Sequence, residues 1–192
     1  MSFKETLKKI WDFIWHDNSI WSWIVNVILA FVLVKWVIYP AIGIIFSTSF
    51  PIVAVVSESM EHNGLDLDTW WNQNKQWYSE NGFTKDDFKE YRFKNGFNKG
   101  DIMLLRGKEP KDIKRGDVLV YETSLYDNPV IHRVVGVENN SSGMFFTTKG
   151  DNNAGPDNRV VTEEQIKRTG TAYARIPLLG WIKIIFVETL RR

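Results

Sequence analysis

Hydrophobic and polar positions along this chain fall into three successive textures. From Ile20 to Tyr39 the sequence is almost continuously apolar, interrupted by Ser22, Asn26 and Lys35. As a helix, such a run covers about 30 Å, the thickness of a bilayer's hydrocarbon core. Trp11, Trp15, Trp21 and Trp23 crowd one end of it, with Trp36 and Tyr39 at the other, as interfacial aromatic belts do. Lys35 is near enough to the end to extend toward headgroups. The pattern predicts a membrane anchor over residues 19–40, preceded by an N-terminal segment, 1–18. Lys4, Lys8 and Lys9 precede the run, whereas beyond Lys35 the next basic residue is Lys75. The positive-inside rule then puts the N-terminus in the cytoplasm and residues 41–192 outside, in a single-pass arrangement. The run starts late and is long for a removable signal peptide, and no clean A-x-A site follows it.

Residues 41–50 remain apolar but carry Gly43, Ser47, Thr48 and Ser49, so the chain is expected to leave the bilayer there. Pro51 opens a predicted strand, Ile52 to Val56, whose unbroken apolar character predicts burial on both faces. The second texture, residues 63–98, is polar and aromatic, with Asn-Gly turns at Asn63, Asn81 and Asn95. It reads as an insertion of two short helices. One runs from Asp68 to Ser79 with Trp70, Trp77 and Tyr78 on one face; the other is capped by Thr84, with Asp87 at the capping-box position and Phe83 stapled to Phe88. Packing of that aromatic face onto the main domain is the first reading, and a substrate lid or membrane-dipping surface the second.

From Lys99 the texture becomes β. Lys99-Gly100-Asp101 and Arg115-Gly116-Asp117 each look like a turn feeding a strand, Ile102 to Leu105 and Val118 to Tyr121. Strands are expected over Val130 to Val137 and Met144 to Thr148, joined by a polar loop, Glu138 to Gly143. Val160-Val161 suggests a short strand, and Thr162 to Gln165 a capped helical turn. Ala172 to Ile176 and Leu178 to Val187 are expected to close the structure as a strand pair, or else the last stretch lies on the membrane surface. The fold class is therefore mainly β, a barrel or sandwich over 41–192, with one N-terminal transmembrane helix and a small helical insertion.

Composition narrows the chemistry. Twenty-four basic residues balance 23 acidic ones, so nothing marks a nucleic-acid binder. No cysteine is present, which removes thiol nucleophiles, disulfides and zinc-thiolate sites. The three histidines, His16, His62 and His132, are too scattered for a metal cluster. Serine needs a base within hydrogen-bond reach, and a third group commonly orients that base. His16 precedes the anchor, and His62 sits in a loop three residues past Ser59, where it could as easily be solvated. His132 lies in a strand pattern, Val130-Ile131-His132-Arg133-Val134-Val135, where a histidine is more often a satisfied core residue. An orienting carboxylate could come from Asp151 or Asp157, both in turn-rich loops, whose alternative role is Asx-turn chemistry.

Ser57-Glu58-Ser59-Met60, Gly116-Asp117-Val118, Ile131-His132-Arg133-Val134, Lys149-Gly150-Asp151-Asn152-Asn153 with Asp157, and Arg175-Ile176-Pro177-Leu178-Leu179-Gly180 occur in that order. The ordered set resembles the type I signal peptidases, in particular their archaeal and endoplasmic-reticulum branch, in which histidine replaces the bacterial lysine base. S-x-S-M alone is a weak signal; the ordered set covers nearly the whole region after the anchor. The resemblance implies Ser59 as nucleophile and His132 as general base. It favours Asp157 as the triad aspartate, with Asp151 supporting the same site. Ser57 and the Ser59 amide would stabilise the oxyanion. It implies a serine endopeptidase that cleaves secreted, signal-peptide-bearing precursors after small residues at the −1 and −3 positions. The substrate would pair with Ile52, Val53, Ala54, Val55 and Val56. No metal or cofactor is implied; lipid and a secretion-machinery component are the compatible partners, and the setting is the cell membrane or, in a eukaryote, the endoplasmic-reticulum lumen. The 63–98 insertion is far longer than the family's usual link. Two rival readings stand beside this one: an inactive anchored scaffold of the same fold, and a Ser-Lys self-cleaving relative.

Overall fold

A computed structural model describes residues 2–126, 128–166, 169–182 and 184–185. The chain divides into two units, Met1–Ile45 and Phe46–Arg192. In the first, α1 (Phe3–Trp15) starts at Ser2, whose amide donates to the Glu5 carboxylate at 3.0 Å. Helix α2 (Ile20–Leu33) starts at Ser19, whose hydroxyl accepts from the Ser22 amide at 3.2 Å. A π-helical turn (Val34–Ile38) then leads into α3 (Tyr39–Ile45). Ile20–Phe46 is thus a single apolar helix of 27 residues with a mean hydropathy of 2.3, long enough to cross a membrane. It runs on past Pro40 and ends within 41–50, the stretch over which the composition suggested an exit. Proline lacks an amide hydrogen and its ring presses on the carbonyl four residues back, and the wider π turn just before it accommodates both defects.

The second unit is built on a seven-stranded antiparallel sheet in the order β1-β2-β7-β3-β4-β5-β6. Its strands are β1 (Ile52–Ala54), β2 (Ile102–Arg106), β3 (Val118–Tyr121), β4 (Val130–Asn140), β5 (Gly143–Lys149), β6 (Val161–Thr162) and β7 (Gly170–Ile176). The two basic-Gly-Asp turns do feed β2 and β3. All four residues of central β3 are buried, Val118 and Val120 in a core with Val53, Val55, Met60 and Leu105, Leu119 and Tyr121 in one with Val134, Phe146 and Val161. Burial on both faces therefore belongs to β3, not to β1. In and just after β1, Val53 and Val55 are buried while Ile52 and Val56 are exposed, because an edge strand has one covered face.

Three further differences from the pattern are confined to single segments. The strand after Pro51 stops at Ala54 rather than Val56. The expected loop at Glu138–Gly143 is instead mostly strand: Asn139 pairs with Met144 and Asn140 with Gly143, leaving a two-residue turn, Ser141-Ser142. Gly143 there has φ +115°, a conformation a side chain would strain. At the C-terminus, a strand pair was expected, but 178–180 bend and turn and Trp181, Ile182, Ile184 and Ile185 are helical. The end of that stretch, from residue 186, lies outside the described residues.

Both helices of the 63–98 segment form, the second with the cap its sequence predicts. Helix α4 (Leu67–Glu80) starts at Asp66, whose carboxylate accepts from the Thr69 amide at 2.8 Å. Helix α5 (Lys85–Glu90) carries a reciprocal box, Thr84 amide to Asp87 carboxylate at 2.7 Å and Asp87 amide to Thr84 hydroxyl at 3.2 Å. Trp70, Trp71, Tyr78, Phe83 and Phe88 then pack against Val135 of β4. The aromatic face is inside, against the strand that carries His132. A short helix, α6 (Glu163–Ile166), follows β6.

Candidate active site

Successive residues of a strand point to opposite faces, and β4 uses this twice over. His132 is turned toward a cleft, while its neighbour Arg133 is turned into the protein beneath. The cleft, about 1000 Å³, is lined by Ser57, Ser59, Tyr121, His132 and Asp157, with Ala54, Val55 and Val56 along its wall. Ile52 and Val53 lie further along β1.

The Ser59 segment is fixed from both sides. Met60 is buried in the core, and its sulfur accepts from the Asp151 amide at 3.4 Å. The Ser59 carbonyl accepts from the Asn152 amide at 2.8 Å, and the Glu58 carbonyl from the Asn152 side chain at 3.1 Å. The Met60 carbonyl accepts from the Phe97 amide at 3.1 Å. Gly150 permits this approach, since a β-carbon there would lie 2.7 Å from the Ser59 carbonyl oxygen. Ser59 and Ser57 share a hydrogen bond between their hydroxyls at 3.2 Å. Among the described residues no hydrogen bond joins Ser59 to His132.

Asp157 is the carboxylate on His132: Nδ1 lies 2.7 Å from its Oδ2. The same oxygen accepts from the hydroxyls of Thr148 at 2.6 Å and Tyr121 at 3.1 Å. Burial alone would raise the Asp157 carboxyl, but the bonds from His132, Thr148 and Tyr121 outweigh it and hold the group below its ordinary value. Burial, reinforced by the neighbouring Asp157 charge, pushes the Tyr121 hydroxyl far above its ordinary value, so it stays a donor. With Nδ1–H donating to Asp157, Nε2 of His132 is left as the basic nitrogen.

Asp151 is placed elsewhere. It is fully buried and held bidentately by Arg133, Nε at 2.8 Å and Nη2 at 2.6 Å. The remaining guanidinium donors reach the carbonyls of Arg92 at 3.1 Å, Gly116 at 3.0 Å and Phe93 at 3.0 Å. The sequence left His62 open to solvation; it is 1% exposed, with Nε2 3.0 Å from Asp151 Oδ2 and its ring stacked on Trp70 at 3.9 Å. Tyr78 completes the cluster, donating to Asp151 at 3.4 Å. Burial opposes ionisation of Asp151, yet the Arg133 charge and its hydrogen bonds, followed by His62, hold the carboxyl well below its ordinary range. The structure thus brings Asp157 onto His132, and Asp151 into an ion cluster behind it.

Lys149 opens the Lys149-to-Asn153 motif, but the sequence assigns it no role of its own. It pairs across the sheet with Arg133 and is 2% exposed. Its ammonium donates to Tyr78 at 3.2 Å and the Gly150 carbonyl at 3.0 Å, and burial brings its pKa down to about 8. A lysine after Thr147-Thr148 at a strand end reads as a solvated terminus, and only the inserted aromatic face makes it otherwise. His62 likewise carries no local sign of burial, because its partners Trp70 and Asp151 come from two distant segments.

No family model matches the chain. It is similar to the signal peptidase complex catalytic subunit SEC11 of Scheffersomyces stipitis, 29% identical over 161 residues, covering 81% of this chain and 76% of that protein. The corresponding subunit of Debaryomyces hansenii is 36% identical over 101 residues, and that of Clavispora lusitaniae 33% over 100. The chain spans 60% of the length of each of those two. Its homologues are thus signal peptidase catalytic subunits of the endoplasmic-reticulum branch.

Proposed function

We propose that this protein, like the signal peptidase catalytic subunits it is homologous to, is a serine endopeptidase that removes signal peptides from secreted precursors. The observation that carries the reading is the His132–Asp157 hydrogen bond of 2.7 Å at a cleft that Ser59 also lines. Ser59 is the nucleophile and His132 the general base, with Asp157 fixing the tautomer that leaves Nε2 free. Substrate binding draws Ser59 from Ser57 toward His132, since catalytic hydrogen bonds often tighten only in the substrate complex. The Ser59 oxygen attacks the scissile carbonyl as its proton passes to Nε2. The Ser57 hydroxyl and the Ser59 amide receive the charge on the oxyanion, a role worth about 3 kcal/mol per donor in comparable sites. The imidazolium then protonates the departing amine, and a water deprotonated by His132 releases the acyl group.

Strand β1 is an edge of the sheet and its continuation lines the cleft. An extended precursor segment adds to that edge by main-chain pairing, with small side chains at −1 and −3. The apolar helix Ile20–Phe46 tethers the domain to the membrane from which precursors emerge, with the N-terminus cytoplasmic and the domain in the extracytoplasmic space or endoplasmic-reticulum lumen. The name of its homologues supports work within a signal peptidase complex.

The test is cleavage of a precursor with an Ala-x-Ala site by the full chain in liposomes. Activity that disappears in Ser59→Ala and His132→Ala supports the reading, and full activity in either variant overturns it. The Ser-Lys alternative finds little support, because Lys149 is bonded to Tyr78 beneath the sheet. The inactive-scaffold alternative gains if Ser59→Ala preserves the protein's cellular role.

A further inference from the structure

The N-terminal unit holds a feature that signal-peptide cleavage does not use. Helix α1 is amphipathic: Phe3, Leu7, Ile10 and Ile14 recur at three- and four-residue spacing, flanked by Trp11, while Glu5, Lys8, Lys9 and Asp12 occupy the opposite face. Phe3, Leu7, Ile10 and Trp11 are 78, 51, 51 and 59% exposed, so most of the apolar stripe is uncovered by the described residues of its own unit. Two polar side chains of the apolar helix that follows are directed at the end of α1. The Ser22 hydroxyl, itself 1% exposed as a residue, donates to the Phe13 carbonyl at 2.6 Å, and the Asn26 amide donates to the Ile14 carbonyl at 2.9 Å.

Both carbonyls belong to the last turn of α1, where no intrahelical amide is available to them. Inside a hydrocarbon layer Ser22 and Asn26 would be costly without such partners. Ser22 and Asn26, the first two of the three interruptions of the apolar run, are therefore a lock: one helical turn apart on α2, they fix the direction in which α1 departs from it. We propose that α1 is an interfacial helix lying in the membrane surface, its apolar stripe in the acyl boundary and Lys4, Lys8 and Lys9 among anionic headgroups. Its continuity with the apolar helix and its basic polar face commit it to lipid as the occupant.

The proposal rests on Ile20–Phe46 crossing the bilayer, so the experiment reads both. The natural chain has no cysteine, which allows single cysteines at Leu7, Ile10, Lys8, Asp12 and, within the span, Val27 to be spin-labelled in the full protein. The protein is reconstituted in phosphatidylcholine–phosphatidylglycerol vesicles and collision with oxygen is compared with collision with a water-soluble nickel chelate. The expected result is preference for oxygen at Leu7, Ile10 and Val27, and preference for the chelate at Lys8 and Asp12. Chelate preference at Leu7 and Ile10 with Val27 immersed overturns the interfacial helix alone, and would follow if another protein were needed to cover the stripe. Chelate preference at Val27 overturns the span and the proposal together. In the Ser22→Ala/Asn26→Leu background the contrast between Leu7 and Lys8 should shrink severalfold, and an unchanged contrast overturns the lock.

Discussion

Two histidines in the sheet domain each meet an aspartate at hydrogen-bond distance, His132 with Asp157 at 2.7 Å and His62 with Asp151 at 3.0 Å. The first pair lies at a cleft with Ser59, and its carboxylate is otherwise bonded to two neutral hydroxyls. The second pair is sealed, stacked on Trp70, and its carboxylate carries a bidentate arginine. Pairing alone therefore does not identify a catalytic histidine. What separates the pairs is the charge already on the carboxylate and the access of the far nitrogen. Among the described residues the ion pair of Asp157 is with His132, so in the proposed mechanism it can stabilise the charge that forms there. Asp151 already compensates Arg133. Its burial makes it a structural ion, joining β4 to the loop that holds Ser59 through Asn152.

The comparison can be broken in several places. Ser59→Ala and His132→Ala should lower kcat by on the order of 10⁴–10⁶-fold with the melting temperature almost unchanged. His62→Ala should instead lower stability while enzyme that remains folded keeps its turnover. If His62→Ala abolishes turnover in folded protein, the two pairs have been assigned the wrong way round.

Asp157→Asn should lower kcat by about 10²–10⁴-fold, through loss of the oriented tautomer, with little effect on folding. Asp151→Asn should do the reverse, costing about 3–5 kcal/mol by leaving Arg133 as an uncompensated buried charge. Chemical denaturation and steady-state kinetics on both variants, side by side, separate the two roles. Equal stability losses would show that the cluster behind His132 is not the ionic anchor described here.

The pH dependence of stability sharpens the same contrast. Because the folded-state value of Asp151 is depressed, its contribution is present above the ordinary carboxylate range and is lost as pH falls through the lower folded value. Acid unfolding should accordingly steepen below pH ~4 in the wild type, and less so in Asp151→Asn. Lys149 has the opposite sign. Its pKa is lowered from 10.5 to about 8, so between those values the unfolded chain binds more protons and stability rises with pH. Lys149→Met should flatten that rise, and an unchanged profile would mean the ammonium is solvated. The smallest effect is expected of Tyr121→Phe, about 1 kcal/mol from one hydrogen bond to Asp157, read as a modest fall in kcat.

Much of the architecture could be read from local pattern. The caps at Thr84 and Asp87, the basic-Gly-Asp turns before β2 and β3, and the apolar helix from Ile20 all depend on residues within a few positions of each other, which short-range sterics and hydrogen bonding decide. The order of Ser59, His132 and the two aspartates was visible for the same reason, as residue types in recognisable local settings. Sequence could not say which aspartate meets His132, because Asp151 and Asp157 share one loop and one turn chemistry, and only the sheet register brings Asp157 back onto Thr148 and Tyr121. Nor could it bury His62 and Lys149, whose environment is made by an aromatic face arriving from α4. It placed double-sided burial on β1 rather than β3, since an apolar run does not reveal whether its strand is central or at an edge. Capping and periodicity are properties of neighbours along the chain; burial, ion pairing and access to a cleft depend on segments tens of residues apart, and those the tertiary structure alone decided.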